Sequence, residues 1–185
     1  MSGDYNRERH ARSIASSRNL KESALATQLE PKILSGEEGP AFWFLNTLCT
    51  VKASTASTGG AFSMVHQIMP GGFSTPHHLH HAEDEAFYML DGECTFLSDG
   101  KKTVLGPGGY IFLPRGIPHG LRVNGPHPAT MLILAMPGTG FVGMMEEMSE
   151  PATERILPTP TEPDMEKLTR VCAKYSIDIL GPLPE

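Results

Sequence analysis

The stretch Gly72-Phe73-Ser74-Thr75-Pro76-His77-His78-Leu79-His80-His81-Ala82-Glu83-Asp84-Glu85 decides how this 185-residue chain is read. In an extended segment, side chains alternate between two faces, so His78 and His80 point the same way. Two imidazoles on one face, two residues apart, suit chelation of a single ion. Glu85 follows after a short loop and opens the next strand, where its carboxylate can reach the same ion. A fourth donor must come from farther along, and His119 begins a later strand just after Pro114-Arg115-Gly116-Ile117-Pro118. Three imidazoles and one carboxylate suit one divalent transition metal: Fe, Mn, Co, Ni, Cu or Zn, a choice that affinity order alone does not make. By the same parity, His77 and His81 fall on the opposite face and are left out as exposed or outer groups.

Outward from this stretch the chain reads as short strands with turns between them. Strands are expected at roughly 74–80, 84–90, 93–98, 102–105, 110–113, 119–123 and 130–136. Asp91-Gly92, Asp99-Gly100, Gly106-Pro107-Gly108-Gly109 and Asn124-Gly125 punctuate them. Asp-Gly and Asn-Gly pairs between alternating apolar runs are strong hairpin signals. Upstream, Phe42–Leu45 and Leu48–Val51 read as a strand pair or one long bent strand, and Ala61 to Met69 alternates as another. The implied fold class is all-β, an antiparallel jelly-roll barrel with a few short helices, mainly C-terminal. Past Gly138 the period changes. Thr139 is a candidate cap for a helix carrying Phe141, Met144, Met145 and Met148, and Asp164 or Thr161 starts a second with Met165, Leu168, Val171 and Tyr175. The methionines are read as packing onto the barrel, with a mouth-covering lid as the sharper alternative. The expected organisation is an N-terminal arm or short helix (1–40), the barrel (41–138) and a C-terminal helical extension packed on it (139–185).

Gly72-x5-His78-x-His80-x4-Glu85-x6-Gly92 resembles the first motif of the cupins at every defined position, and Gly108-x5-Pro114-x-Gly116-x2-His119 resembles the second. The chain departs from the second motif at its end, where asparagine is usual: here Val123 holds the place and Asn124 follows. The resemblance implies a cupin barrel with His78, His80, Glu85 and His119 as its metal ligands. Asp84 is a rival carboxylate, because the family allows one residue fewer in that gap, but the distance to Gly92 favours Glu85.

Composition narrows the partners. Glycine (19) and proline (16) are plentiful and charged residues make up 19% of the chain, a balance that speaks against a helical bundle. A net charge of −6, with basic residues gathered only loosely near the N-terminus, argues against nucleic acid and anionic membranes as partners. Cys49, Cys94 and Cys172 are scattered and odd in number, which favours small buried hydrophobes in a reducing compartment over a disulfide framework. The polar N-terminus lacks a signal-peptide core, and no apolar run approaches the roughly 18 residues of a membrane span. A cytoplasmic location is the expectation. Cupin barrels commonly pair through an edge strand; Phe42 to Val51 is the expected donor, and a homodimer the expected assembly.

Counting by two from Glu85 places Phe87 and Met89 beside it, and from His119, Leu121 and Val123; His66 is a further candidate for the lining. Such a pocket is apolar and suits a small apolar or aromatic substrate carrying its own metal-binding oxygen. The layout also resembles the quercetin 2,3-dioxygenase group of cupins, through Gly39-Pro-Ala-Phe-Trp-Phe-Leu45, Thr58-Gly-Gly60, the His-x-His run and the tail Ile179-Leu-Gly-Pro182. That resemblance implies a dioxygenase that binds dioxygen and opens a flavonol-like or cyclic enol substrate, with Glu85 as ligand and base. Its carboxyl is expected to be raised toward neutrality by the apolar surroundings. A metal-assisted isomerase, cyclase or lyase, and a non-catalytic small-molecule binder, are the alternatives.

Overall fold

Alternation between buried and exposed side chains sets the architecture. In β10, Ala129–Met136, and β3, Ser63–Met69, every second residue is buried, as half-buried strands require. The structure is a computed structural model describing residues 29–185, and most of the expected N-terminal arm lies outside the described residues. The remaining elements are β1 (Ala41–Phe44), β2 (Thr47–Ala53), α1 (Thr55–Thr58), β4 (His77–His80), β5 (Asp84–Asp91), β6 (Cys94–Ser98), β7 (Lys101–Leu105), β8 (Tyr110–Leu113) and β9 (His119–Val123). Downstream of β10 come α2 (Phe141–Met148), β11 (Glu150–Pro151), α3 (Met165–Lys174) and β12 (Ile177–Gly181).

Two antiparallel sheets face each other in jelly-roll fashion. One runs β11-β1-β2-β3-β10-β5-β8 and the other β12-β4-β9-β6-β7. Val65, Phe87, Met89, Phe96, Val123, Met131 and Ile133 fill the core between them. The stretch Phe42–Val51 is a true hairpin, since Leu45 and Asn46 take the left-handed conformation (φ 47° and 67°) that a tight two-residue turn demands. The strand expected from Ser74 begins only at His77: Pro76 has no N–H to give a ladder, and Ser74 makes a single bridge to Arg122. Gly92 has φ 74°, and a Cβ there would lie 2.7 Å from both the Ala129 Cα and the Pro128 carbonyl oxygen. Only glycine fits.

Two expectations need correction. The C-terminal segment is not wholly helical: β12 pairs with β4, placing Ile177 opposite His80 and Ile179 opposite His78. Nor is Phe42–Val51 a free donor edge. The outer side of β1 is taken by β11, with Phe42 opposite Pro151, and the Trp43 indole N–H donates to the Ile156 carbonyl at 2.9 Å.

Helix α2 begins at Gly140, and its N-terminus is satisfied from another element. The buried Glu83 carboxylate accepts the N–H groups of Thr139 (2.7 Å) and Gly140 (2.8 Å). Helix α3 starts as expected at Asp164, whose side chain accepts the Lys167 N–H at 2.8 Å. Among the described residues, no helix is long and apolar enough to cross a membrane.

Candidate metal centre

Strand β4 supplies His78 and His80 from one face, β9 supplies His119 directly opposite His78, and β5 on the facing sheet supplies Glu85. One donor atom from each of the four lies within 4.8 Å of every other. The imidazole Nε2 atoms of His119, His80 and His78 approach Glu85 Oε2 at 2.9, 3.4 and 3.9 Å. Donor atoms held about 2.1 Å from one ion sit about 3.0 Å apart at right angles and about 3.4 Å apart in a tetrahedron, so these separations suit a shared cation.

Tautomers strengthen the fit. His78 Nδ1 lies 2.9 Å from the Pro76 carbonyl oxygen and His119 Nδ1 lies 2.8 Å from that of Ile117. A carbonyl can only accept, so each Nδ1 carries a hydrogen, and in the neutral ring each Nε2 turns a lone pair toward Glu85. A lone pair facing a carboxylate oxygen needs a proton or a cation between them. His80 Nδ1 is buried without a partner. The donor set can therefore hold one divalent ion through His78, His80, Glu85 and His119; nothing in it singles out one metal.

Burial would push the Glu85 carboxyl up, but the imidazoles of His80 and His119 around it hold it well below the usual carboxylate range. This corrects the expectation of a raised carboxyl: the apolar lining is real, but three imidazoles reach the group first. Burial alone would lower His119; its hydrogen bond to Glu85 raises it instead. For His80 burial dominates and lowers it from its ordinary value.

A cavity of about 80 Å³ adjoins the four residues. Phe87 and Leu121 line it as parity suggested. Met89 and Val123 share that inward direction but are packed into the core beyond the cavity. His66 does not reach it. On β3 the inward residues are Ser63, Val65, Gln67 and Met69, so His66 faces the other way, opposite Thr50 and Leu132. Gln67 is the polar residue that β3 does supply; its amide donates to Thr47 Oγ1 at 2.8 Å. The tail contributes what sequence reasoning did not assign to the site: Phe141, Met144 and Met145 from α2, Leu168 and Cys172 from α3, and Ile177 from β12. The Phe141 ring lies 6.2 Å from that of His80.

Asp84 is engaged elsewhere. It accepts from the Arg115 backbone N–H (2.8 Å) and guanidinium (3.0 and 2.8 Å), which pins the Pro114–Pro118 loop just ahead of His119. Those hydrogen bonds hold its carboxyl down at about 2. His81 likewise points out, to Asp178 at 2.8 Å. Asn124, one place past the usual motif position, still ties β9 to β6, bonding Glu93 and Thr95.

Residues 64–135 match the cupin domain family. Among curated proteins, the chain is 28% identical over 141 residues to quercetin 2,3-dioxygenase of Bacillus subtilis, covering 76% of this chain and 41% of that protein. It is 46% identical over 55 residues to dimethylsulfoniopropionate lyase DddQ of Ruegeria pomeroyi, covering 29% of this chain and 27% of that protein. The chain thus spans less than half the length of either relative. Among solved structures, KdgF from Halomonas sp. superposes with a TM-score of 0.51 at 20% identity over 61% of this chain and 98% of that one, a likeness of fold. Both motifs stand in place on a two-sheet barrel, and the match to the cupin domain family over residues 64–135 runs through them.

Proposed function

We propose that the protein is a metal-dependent dioxygenase acting on a flavonol-like or other cyclic enol substrate. The observation that carries this reading is the position of Glu85, whose carboxylate is the one acid lining an otherwise largely apolar cavity and is already ionised. All three imidazole contacts fall on its Oε2, and no hydrogen bond to Oε1 is found among the described residues. A divalent ion held by the four residues would polarise a chelating hydroxyl oxygen and make its proton more acidic. Glu85 then accepts that proton at Oε1. Its low basicity restricts it to hydroxyls acidified in this way, so proton removal is tied to correct placement of the substrate. Phe87, Leu121 and Phe141 exclude water and hold a flat ring against the histidines. The likeness to the Bacillus dioxygenase, over 76% of the chain, supports this reading.

The test loads the protein separately with Fe, Mn, Co, Ni, Cu and Zn and follows oxygen uptake and flavonol absorbance with quercetin. Oxygen-dependent bleaching that Glu85→Gln abolishes is expected. No oxygen uptake with any metal and any flavonol overturns the reading.

One observation favours a second reading. At about 80 Å³ the cavity beside the four residues is small against the roughly 300–1,000 Å³ of ordinary ligand sites, and it suits a compact substrate. The short match to the Ruegeria lyase supports metal-assisted elimination. Anaerobic turnover of dimethylsulfoniopropionate would select it.

A further inference from the structure

The cavity at the four donor residues has a neighbour. A second hollow of about 620 Å³ lies against it, and the two share Leu45, Phe73, Thr75, Pro76 and Leu168 as walls. His78, whose Nδ1 is bonded to the Pro76 carbonyl, is the most exposed of the three histidines, its side chain 15% exposed where those of His80 and His119 are 3% and 2%. Phe73 and Pro76 thus stand between the donor cluster and the outer hollow. The two hollows together fall within the usual range for ligand sites, which the inner one alone does not reach.

The outer hollow has a polarity of its own. Leu45, Phe73, Pro76, Met165 and Leu183 make it apolar, and Arg122 is the one charged residue among those lining it. Arg122 projects from β9 on the face opposite Leu121 and Val123, and among the described residues no ion pair or hydrogen bond of its guanidinium is found. Its charge stands beside apolar walls without an acid to answer it. Arginine binds planar oxyanions through paired N–H donors, so an unanswered guanidinium on an apolar wall selects an anionic oxygen group.

We propose that the outer hollow holds the body of the substrate and that Arg122 binds an anionic oxygen group on it. The substrate class is then an apolar, ring-bearing acid whose reacting end enters the inner cavity. The inference rests on the reading of the donor cluster as the place of reaction, and it adds to that reading a second point of recognition.

The probes are 2-naphthoate and its uncharged counterpart 2-naphthylmethanol, titrated into the metal-free full-length chain so that the carboxylate has no ion to bind. Amide shifts in ¹H–¹⁵N spectra report where each binds. Both should shift Ser74, Thr75 and Leu183, with naphthoate roughly fivefold tighter, the upper end for a partly solvated charge pair. Arg122→Gln should bring the two affinities together, and Arg122→Lys should restore part of the difference. Phe73→Ala should weaken both alike. Equal affinities in the native chain, a preference that survives Arg122→Gln, or shifts confined to other regions would each overturn the inference. Oxygen uptake with quercetin is scored separately: bleaching without a carboxylate preference removes this inference alone, and a preference without bleaching removes the dioxygenase alone.

Discussion

Replacing Glu83 by alanine should loosen the cover of the metal cavity at a cost set by two hydrogen bonds. The carboxylate accepts the N–H groups of Thr139 and Gly140 at 2.7 and 2.8 Å, and those residues lead into α2, which carries Phe141, Met144 and Met145 onto the cavity. An N–H left without an acceptor in a partly buried place costs about 1–2 kcal/mol, so Glu83→Ala should destabilise by about 2–4 kcal/mol. For a chain of this length that is a fall in Tm of roughly 5–12 °C. Glu83→Gln keeps a carbonyl acceptor but loses the charge opposite the helix N-terminus and should cost only about 1 kcal/mol. Denaturant unfolding of the three proteins gives the differences, and hydrogen exchange should rise selectively over residues 139–148. Releasing a buried charge acts in the opposite direction. If Glu83→Ala proves neutral or stabilising, or matches Glu83→Gln within 0.5 kcal/mol, desolvation of the carboxylate outweighs its hydrogen bonds and the reasoning fails.

Gly92→Ala should be far more damaging than Gly116→Ala. Both have left-handed φ, costing about 1–2 kcal/mol for alanine, but only at Gly92 would the new Cβ strike Ala129 and Pro128, whereas Gly116 has open space; expression yield and Tm compare them. Burial pushes the thiols of Cys49 and Cys94 up to about 12 and that of Cys172 to about 11, so all three stay protonated, and the native protein should release no colour from an aromatic disulfide reagent at pH 8 until unfolded. Asp84, held at about 2 by Arg115 against an ordinary 3.8, contributes stability that is complete above the ordinary value and is lost as pH falls from there toward 2. Asp84→Asn should flatten that part of the acid limb of an unfolding-against-pH curve. Zinc at a hundred times its Kd should add about 2.7 kcal/mol to stability, and His119→Ala should remove the gain in calorimetry; an equal gain in the variant would mean that zinc binds elsewhere.

The four candidate donors that the structure brings together were legible because they rest on local rules: His78 and His80 on the period of a strand, Glu85 and His119 on motif spacing. Where the sequence misled, a rule met its exception. On β3 the inward face carries Ser63 and Gln67 while the outward face carries Met64 and Ile68, so the usual apolar-inside alternation does not tell the faces apart and His66 was placed on the wrong one. Glu85 was expected to be raised because apolar neighbours can be read from the pattern, but the convergence of three rings on one oxygen cannot. The tail was read mainly as packing on the barrel, with a lid only as the alternative, for a different reason. Ile177 lies 97 residues beyond His80 in the chain, and no local signal says that this strand pairs with β4. Arg122 was legible only as an outward residue of β9; the hollow beside it is made by four separate segments.

Two of the three imidazoles are oriented by a carbonyl two residues back in the chain, just ahead of their strands, Pro76 for His78 and Ile117 for His119, while His80 has no such tether. A ring held by its own backbone keeps its aim whatever distant side chains do, so two of the donors form a fixed jaw. His80 is aimed by packing against Phe141 instead, and packing gives way more easily than a hydrogen bond to the main chain. An ion held by the four residues would thus meet two rings aimed by their own backbone and one aimed by packing, so a change of radius or preferred angle would fall first on His80.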